Sequence, residues 1–257
     1  MKPEATGPGS GPNNGDVLLV LGASSDIGLE ILRGYDHESL TVLAHYNRSR
    51  EKLDRLMEEV PATTVVPLHA DLADEKEVAE MIVRVREEYG HPTQILHLAA
   101  PVPDAVHFRK TQWNDFQRQL DVQLRSAVLV LGEFLPAMAR ARRGKIVFTL
   151  TSYTLAEPAL GTAPYTTAKH ALLGLMRYLA KEYAGKGICI NAVSPSMVET
   201  QFLRELPEIV VEMNAQRSPR KRNATPKDIA PIVRFLLSPE SDYITGANIP
   251  VTGGSAI

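Results

Sequence analysis

From residue 16 onward the apolar positions fall into two textures. Short dense runs rich in Val, Ile, Leu and Thr occupy 17–21, 40–45, 64–69, 94–98, 145–151, 188–193 and 248–251. Between them, apolar residues recur every three or four positions over 27–33, 49–59, 74–89, 111–140, 164–184 and 226–237. Continuous short runs predict buried strands and the longer period predicts helices, so the chain reads as seven strands alternating with helices. That alternation is the pattern of stacked βαβ units and a parallel sheet with helices on both faces. The first fifteen residues carry Gly7, Gly9, Gly11 and Gly15 with Pro3, Pro8 and Pro12, and little to bury. They read as a disordered leader, and 16–257 as a single domain. One connection is long, 198–223, with weak helical signals and the basic residues Arg217, Arg220, Lys221 and Arg222; that length predicts a substrate lid.

Composition narrows the class. At 257 residues, with 44% hydrophobic and 23% charged, the chain can bury a core as one large α/β domain. Lys and Arg total 28 against 30 for Asp and Glu, a formal charge of −2 that excludes a whole-surface nucleic-acid or anionic-membrane binder. The single cysteine, Cys189, lies in a strand run and reads as a buried small hydrophobe rather than a nucleophile. No secretory core and no run of about 18 apolar residues is visible, which points to the cytoplasm.

Open parallel sheets bind ligands where their strands end, so candidate chemistry is sought there. The first strand exits into Gly22-Ala23-Ser24-Ser25-Asp26-Ile27-Gly28. Glycines at such an exit allow a tight turn and let backbone amides approach a pyrophosphate set against the following helix. With two glycines alone, a purely steric turn is an equal alternative. Asp26 would repel a pyrophosphate unless it turns away to cap the helix, and that capping role is expected of it. Further on, Tyr165 and Lys169 fall one turn apart on a helix and share a face. Ser152 precedes Tyr165 by thirteen residues at the end of the fifth strand, with Thr151 beside it as the competing candidate.

On these residues the chain resembles the short-chain dehydrogenase/reductase family, of the single-domain kind that includes 3-oxoacyl-carrier-protein reductases. The family loop T-G-x-x-x-G-x-G matches at Gly22 and Gly28, with Leu21 for the threonine and Asp26 for the middle glycine. Ser152, Tyr165 and Lys169 match the family serine and Y-x-x-x-K; Asn191 to Ser196 with Thr200, Ile244-Thr245-Gly246, and Thr252-Gly253-Gly254 match its later signatures. Two departures stand out. Leu98-Ala99-Ala100-Pro101 replaces N-N-A-G, and Gln123 replaces the catalytic asparagine, moving its amide by one methylene.

The resemblance implies a Rossmann-type doubly wound sheet and reduction of a ketone to a secondary alcohol. In that reading Tyr165 supplies the proton, Ser152 holds the substrate oxygen, Lys169 lowers the phenol's pKa and reaches the nicotinamide ribose, and Gln123 joins the proton relay. The cofactor cradle is Gly22, Ser24, Ser25, Asp26, Ile27, Gly28, Asn47, Arg48, Asp71, Leu72, Ala99, Ala100, Tyr165, Lys169, Pro195, Val198 and Thr200. No carboxylate stands in 45–49, where an acid would select NAD; Arg48 would instead pair with the 2′-phosphate of NADP(H), or be an ordinary solvated cation. Asp71 reads as an adenine contact or a helix cap. The substrate is expected to be a 3-oxoacyl thioester on coenzyme A or an acyl carrier protein, recognised by Arg142 and Lys186, with Arg143 and 217–222 extending the patch; Arg142 and Lys186 precede Gly144 and Gly187 at strand entrances, so they reach a mouth only through the assembly, and cations favoured at helix C-termini are the alternative. The alternatives are a dehydrogenase of free secondary alcohols and a non-catalytic nucleotide-binding homologue. The resemblance further implies a homotetramer or homodimer, with the apolar run 127–131 and Phe134 in its interface. No metal is expected.

Overall fold

The computed structural model describes residues 15–35, 40–201, 203 and 208–255; the expected leader lies outside them except for Gly15. Seven parallel strands form one sheet: β1 Asp16–Leu21, β2 Leu40–Tyr46, β3 Thr64–His69, β4 Gln94–His97, β5 Gly144–Thr149, β6 Ile188–Pro195 and β7 Asn248–Val251. Their order is β3-β2-β1-β4-β5-β6-β7, so the winding reverses between β1 and β4 and opens a crevice at the strand exits there. Pro67 and Pro250 fall in β3 and β7, the two edge strands, where a missing amide costs no interior ladder bond.

The helices are α1 Asp26–Arg33, α2 Arg50–Glu59, α3 Glu75–Tyr89, α4 Trp113–Leu120, α5 Ser126–Ala141, α6 Ala163–Tyr183, α7 Glu208–Arg217 and α8 Pro226–Leu237. Strand side chains alternate between two cores. Leu18, Val20, Leu96 and Val147 meet α1, α2 and α8, while Leu19, Ile95, Ile146 and Phe148 meet α3, α5 and α6.

One expectation needs correcting. The helix expected over 111–140 runs as α4, one π-helical turn Asp121–Arg125, and α5; the turn inserts an extra residue, which re-aims the α4 side chains relative to those of α5. The stretch Trp113–Ala141 reaches a mean hydropathy of 1.3, and burial of Val130, Phe134 and Met138 in the core accounts for its apolarity. In the 198–223 connection, α7 forms where only weak helical signals were visible, and residues 202 and 204–207 lie outside the described part.

Candidate active site

At the exit of β1 the chain turns through Gly22 at φ +86°, and a Cβ there would meet Ala99 N at 2.9 Å. A Cβ on Gly28 would meet Ala23 O at 2.5 Å. Both glycines are therefore required by a turn that presses its backbone against β4 and α1. The open backbone beyond it, at the amino end of α1, suits a pyrophosphate. The helix cap is Ser25, whose Oγ accepts from Gly28 N–H at 3.1 Å and donates to Gly22 O at 2.8 Å. Asp26 is not the cap. It sits one residue too late, and its carboxylate turns outward to accept from Lys52 Nζ and from the Gln201 amide.

A residue missing from the expected site fixes this loop from behind. His45, fully buried near the end of β2, accepts the Gly22 N–H at Nδ1 (3.0 Å), and its Nε2–H donates to Ala70 O (2.9 Å). Its own carbonyl accepts the Ala23 N–H at 2.8 Å. Burial pushes its pKa down to about 4, so the ring is neutral and the hydrogen bonds set its tautomer. A lone polar residue inside the apolar run 40–45 was the available signal. Beyond it, Asn47 and Arg48 are exposed at the β2 exit, and Arg48 has no ion pair among the described residues. Asp71 does not cap α3. It accepts from Ala73 N–H at 2.9 Å, while Asp74 caps α3 through the amides of Lys76 and Glu77. Leu72 is buried beside it, and Ala99 and Ala100 are half-buried after β4.

The catalytic candidates converge at the exits of β4 and β5. Lys169, 2% exposed, donates from Nζ to Thr149 O at 2.7 Å and lies 5.5 Å from the centroid of the Tyr165 ring. The Tyr165 hydroxyl shares a hydrogen bond with the side chain of Thr151, not with Ser152, which is half-buried at the head of a short 3-10 turn Ser152–Thr154. Between the two sequence candidates, Thr151 is thus the present partner of the phenol. The Tyr153 ring meets Tyr165 edge to face at 6.5 Å.

Electrostatics here departs from the simple expectation that Lys169 depresses the phenol. Burial raises Tyr165 well above its ordinary value, and burial lowers Lys169 to about 7. Burial thus disfavours the charged form of both groups, and a phenol that keeps its proton is suited to giving it. A small cavity beside Tyr165 is lined by Val106, Asp115, Gln119, Gly161 and Pro164.

Gln123 sits in the π turn with no exposed surface. Its Nε2 donates to Gln119 Oε1 at 2.6 Å, Gln119 in turn reaches Pro101 O at 3.4 Å, and Gln123 Oε1 has no partner among the described residues. His97, a polar residue in an apolar strand, is also buried; its Nε2 meets Ser126 Oγ at 3.2 Å and its Nδ1 has no partner among the described residues. Burial, with Lys169 nearby, pushes His97 down to about 3. Of the remaining expected cradle, Pro195 ends β6 and Val198 bridges to Ala224, with Thr200 just beyond.

The recognition patch does not assemble at this mouth. Arg142 and Lys186 precede β5 and β6, at the sheet edge opposite Tyr165, because residues before a strand stand at its entrance. Arg143 is held there by Asp16 at 2.5 Å. Of the basic run, Arg222 is paired with Asp228 at 2.7 Å, Lys221 donates to Gln216 O at 2.9 Å, and Arg220 packs on Gly253 beyond β7, on the Tyr165 edge. The expected interface run is largely core as well: Ala127, Val130, Leu131 and Phe134 are buried, and Val128 is exposed.

A parallel sheet reversing at β1 and β4, a glycine turn at the reversal and a Tyr–Lys pair at the next exit define a nucleotide-dependent oxidoreductase. The chain belongs to the short-chain dehydrogenase/reductase family and is an NAD(P)-dependent oxidoreductase: the family model described as enoyl-(acyl carrier protein) reductase matches residues 22–256. It is 31% identical over 245 residues to 3-oxoacyl-[acyl-carrier-protein] reductase FabG of Thermotoga maritima, covering 95% of this chain and 98% of that one. It is 30% identical over 240 residues to meso-2,3-butanediol dehydrogenase of Serratia marcescens, covering 93% and 94%. Among solved structures, levodione reductase superposes with a TM-score of 0.85 at 25% identity, covering 94% and 97%.

Proposed function

We propose that this chain reduces a ketone to a secondary alcohol with NADP(H), and that the ketone is a 3-oxoacyl thioester. The observation that carries the reading is the buried Tyr165–Lys169 pair at the exit of β5, where the phenol keeps its proton and faces a small cavity. Nicotinamide, when bound, supplies the hydride to the carbonyl carbon. Tyr165 gives its proton to the oxygen as the C=O π bond breaks, so hydride and proton account for both added hydrogens. Ser152 orients the substrate oxygen, Lys169 restores the proton to Tyr165, and the unpartnered Oε1 of Gln123 offers an acceptor for a water on that path. Gly22 to Gly28 cradle the pyrophosphate, and Asn47, Asp71, Leu72, Ala99, Ala100, Pro195, Val198 and Thr200 line the rest of the cofactor groove.

Arg48 supports NADP(H), being exposed, unpaired and free of any neighbouring carboxylate in 45–49. Relatives named as acyl-carrier-protein reductases support the thioester; the butanediol dehydrogenase relative favours a free alcohol or ketone as the second reading. A homotetramer or homodimer through α5 and α6 fits the exposed Val128 and Tyr178 beside the open space at Gly132 and Gly174. In such an assembly Arg142 and Lys186 serve a neighbouring copy's mouth, while Arg217 and Arg220 serve their own. We place the protein in the cytoplasm, where a free thiol such as Cys189 stays reduced.

The test is NADPH oxidation with one 3-oxoacyl group presented on a carrier protein, on coenzyme A, on a pantetheine mimic and as a free ketone, with an enoyl thioester alongside. The expected order places the thioesters first and the enoyl substrate last. Preference for a free hydroxyketone would move the second reading ahead. Selectivity for the carrier should fall in Arg142→Glu, Lys186→Glu if a neighbour supplies recognition, or in Arg217→Glu, Arg220→Glu if the same chain does; loss in neither removes the carrier as a partner.

A further inference from the structure

Asp26 occupies the one position in the glycine loop where a side chain replaces the middle glycine, and the structure gives that side chain three neighbours far apart in sequence. Its Oδ2 accepts the backbone N–H of Gln201 at 2.6 Å. Its Oδ1 accepts from Lys52 Nζ at 3.2 Å, and the same ammonium donates to Gln201 Oε1 at 2.8 Å. The three bonds close a triangle joining the first turn of α1, the first turn of α2 and the segment that leaves β6.

That segment has few other anchors. Up to residue 199 it is tied to the strand-like bridge at Ala224, through Ala224 N–H to Met197 O at 3.0 Å and Glu199 N–H to Ala224 O at 2.7 Å. At residue 201 the bonds to Asp26 and Lys52 take over. They lie at a cleft of about 610 Å³ lined also by Glu199, Leu203 and Val211. Thr200, one residue earlier, is therefore placed by a bond made at Gln201. The charge balance agrees: a carboxylate at the start of α1 is favoured by the helix dipole, and Lys52 neutralises it beside a groove meant for an anion. A backbone amide bound to a carboxylate is stronger than a neutral pair.

We infer that Asp26 is a positioning residue for the nucleotide site: it straps the segment bearing Thr200 and Gln201 across the outer rim of the glycine loop and so slows release of the nicotinamide nucleotide. The inference rests on the family's nucleotide dependence and not on the identity of the ketone.

Two variants and two readouts test it. Asp26→Gly removes the strap, and Asp26→Asn keeps an acceptor for the Gln201 amide without the charge. In the nucleotide-free protein, amide exchange at Gln201 followed by NMR should speed up about tenfold in Asp26→Gly, as expected for loss of one charge-assisted bond, and by a smaller factor in Asp26→Asn, which keeps a neutral acceptor. In stopped-flow displacement, NADPH should leave Asp26→Gly about tenfold faster and Asp26→Asn faster by a smaller factor. Unchanged release from Asp26→Gly overturns the inference, as does faster release with no faster exchange at Gln201, which would make Asp26 act on the nucleotide by charge alone. Failure of the wild type to bind any nucleotide would contradict the nucleotide site itself, whereas protected exchange at Gln201 in Asp26→Gly would contradict the strap alone.

Discussion

Two buried histidines mark two halves of one sheet that handle polar groups in opposite ways. At the β2 exit, His45 uses both ring nitrogens, on Gly22 N–H and Ala70 O, and ties the glycine turn to the third strand. At the β4 exit, His97 uses one nitrogen on Ser126 and strands the other. The contrast extends beyond them. All five buried side-chain atoms without a partner among the described residues lie on β4, β5 or the π turn: Gln94 Oε1, His97 Nδ1, Gln123 Oε1, Arg125 Nε and Thr149 Oγ1. The nucleotide half is internally satisfied, which rigidifies the turn and leaves backbone amides for a ligand. Its neighbour holds spare hydrogen-bonding capacity, in part at Thr149 and His97 beside Lys169, a costly condition that a folded protein keeps where protons and waters have to move.

Breaking the second half at its centre should have the largest effect. Tyr165→Phe removes one hydroxyl whose protein partner is Thr151, and turnover should fall about 10³-fold or more while nucleotide affinity measured by fluorescence titration holds within about threefold. A residual rate above a few per cent would move the proton source elsewhere. Lys169→Met should also abolish turnover, and in addition it should stabilise the fold. Burial depresses the lysine to about 7, far below its unfolded value near 10.4. Between those values the unfolded chain holds more protons, so wild-type stability rises as pH goes from about 7 to about 10. Chemical denaturation should show Lys169→Met more stable by about 2 kcal/mol at pH 7, with that rise gone. A destabilised, pH-parallel variant would mean the amine is not desolvated in solution.

The histidine pair sharpens the comparison directly. His45→Leu strands the Gly22 amide and the Ala70 carbonyl and should cost about 2 kcal/mol, with nucleotide affinity falling too. His97→Leu deletes a group that is already half unsatisfied and should be within about 0.5 kcal/mol of the wild type, measured by urea midpoints. Equal costs would erase the distinction between the halves. The smallest effect concerns the rim of the satisfied half, where Arg48→Ala should weaken NADPH about tenfold and leave NADH unchanged by calorimetry. Equal losses for both nucleotides would make Arg48 a bystander.

Much of this was legible in residue order because the relevant signals are local. Seven apolar runs gave seven strands within a residue or two, and Tyr165 with Lys169 needed only helical spacing. Ser25 and Asp26 are both good caps by chemistry, and only the backbone path at Gly22 decides that Ser25 meets the Gly28 amide. The π turn leaves no mark in the apolar period across 111–140, since one inserted residue is absorbed within a turn. His45 and His97 were not among the expected site residues: they are polar positions in apolar runs whose partners, Gly22 and Ser126, are set by the fold and not by residue order. The Asp26, Lys52 and Gln201 triangle joins three segments that only the closed fold brings together. Arg142 and Lys186 each stand just before a glycine that leads into a strand, so their place at the entrances of β5 and β6 was legible, whereas the mouth they would face is set by an assembly that residue order does not encode.

The account's central claim is that the unsatisfied half performs hydride acceptance and proton delivery on a carbonyl. The most direct measurement mixes the wild-type protein with a 3-oxoacyl thioester and NADPH carrying deuterium at the transferring position, then analyses the product by mass spectrometry and NMR. The account predicts one deuterium on the carbinol carbon for each NADPH oxidised, and none in product from Tyr165→Phe on the same timescale. Tight NADPH binding with no oxidation across the panel of ketones and thioesters would contradict it and leave a nucleotide-binding protein without this chemistry.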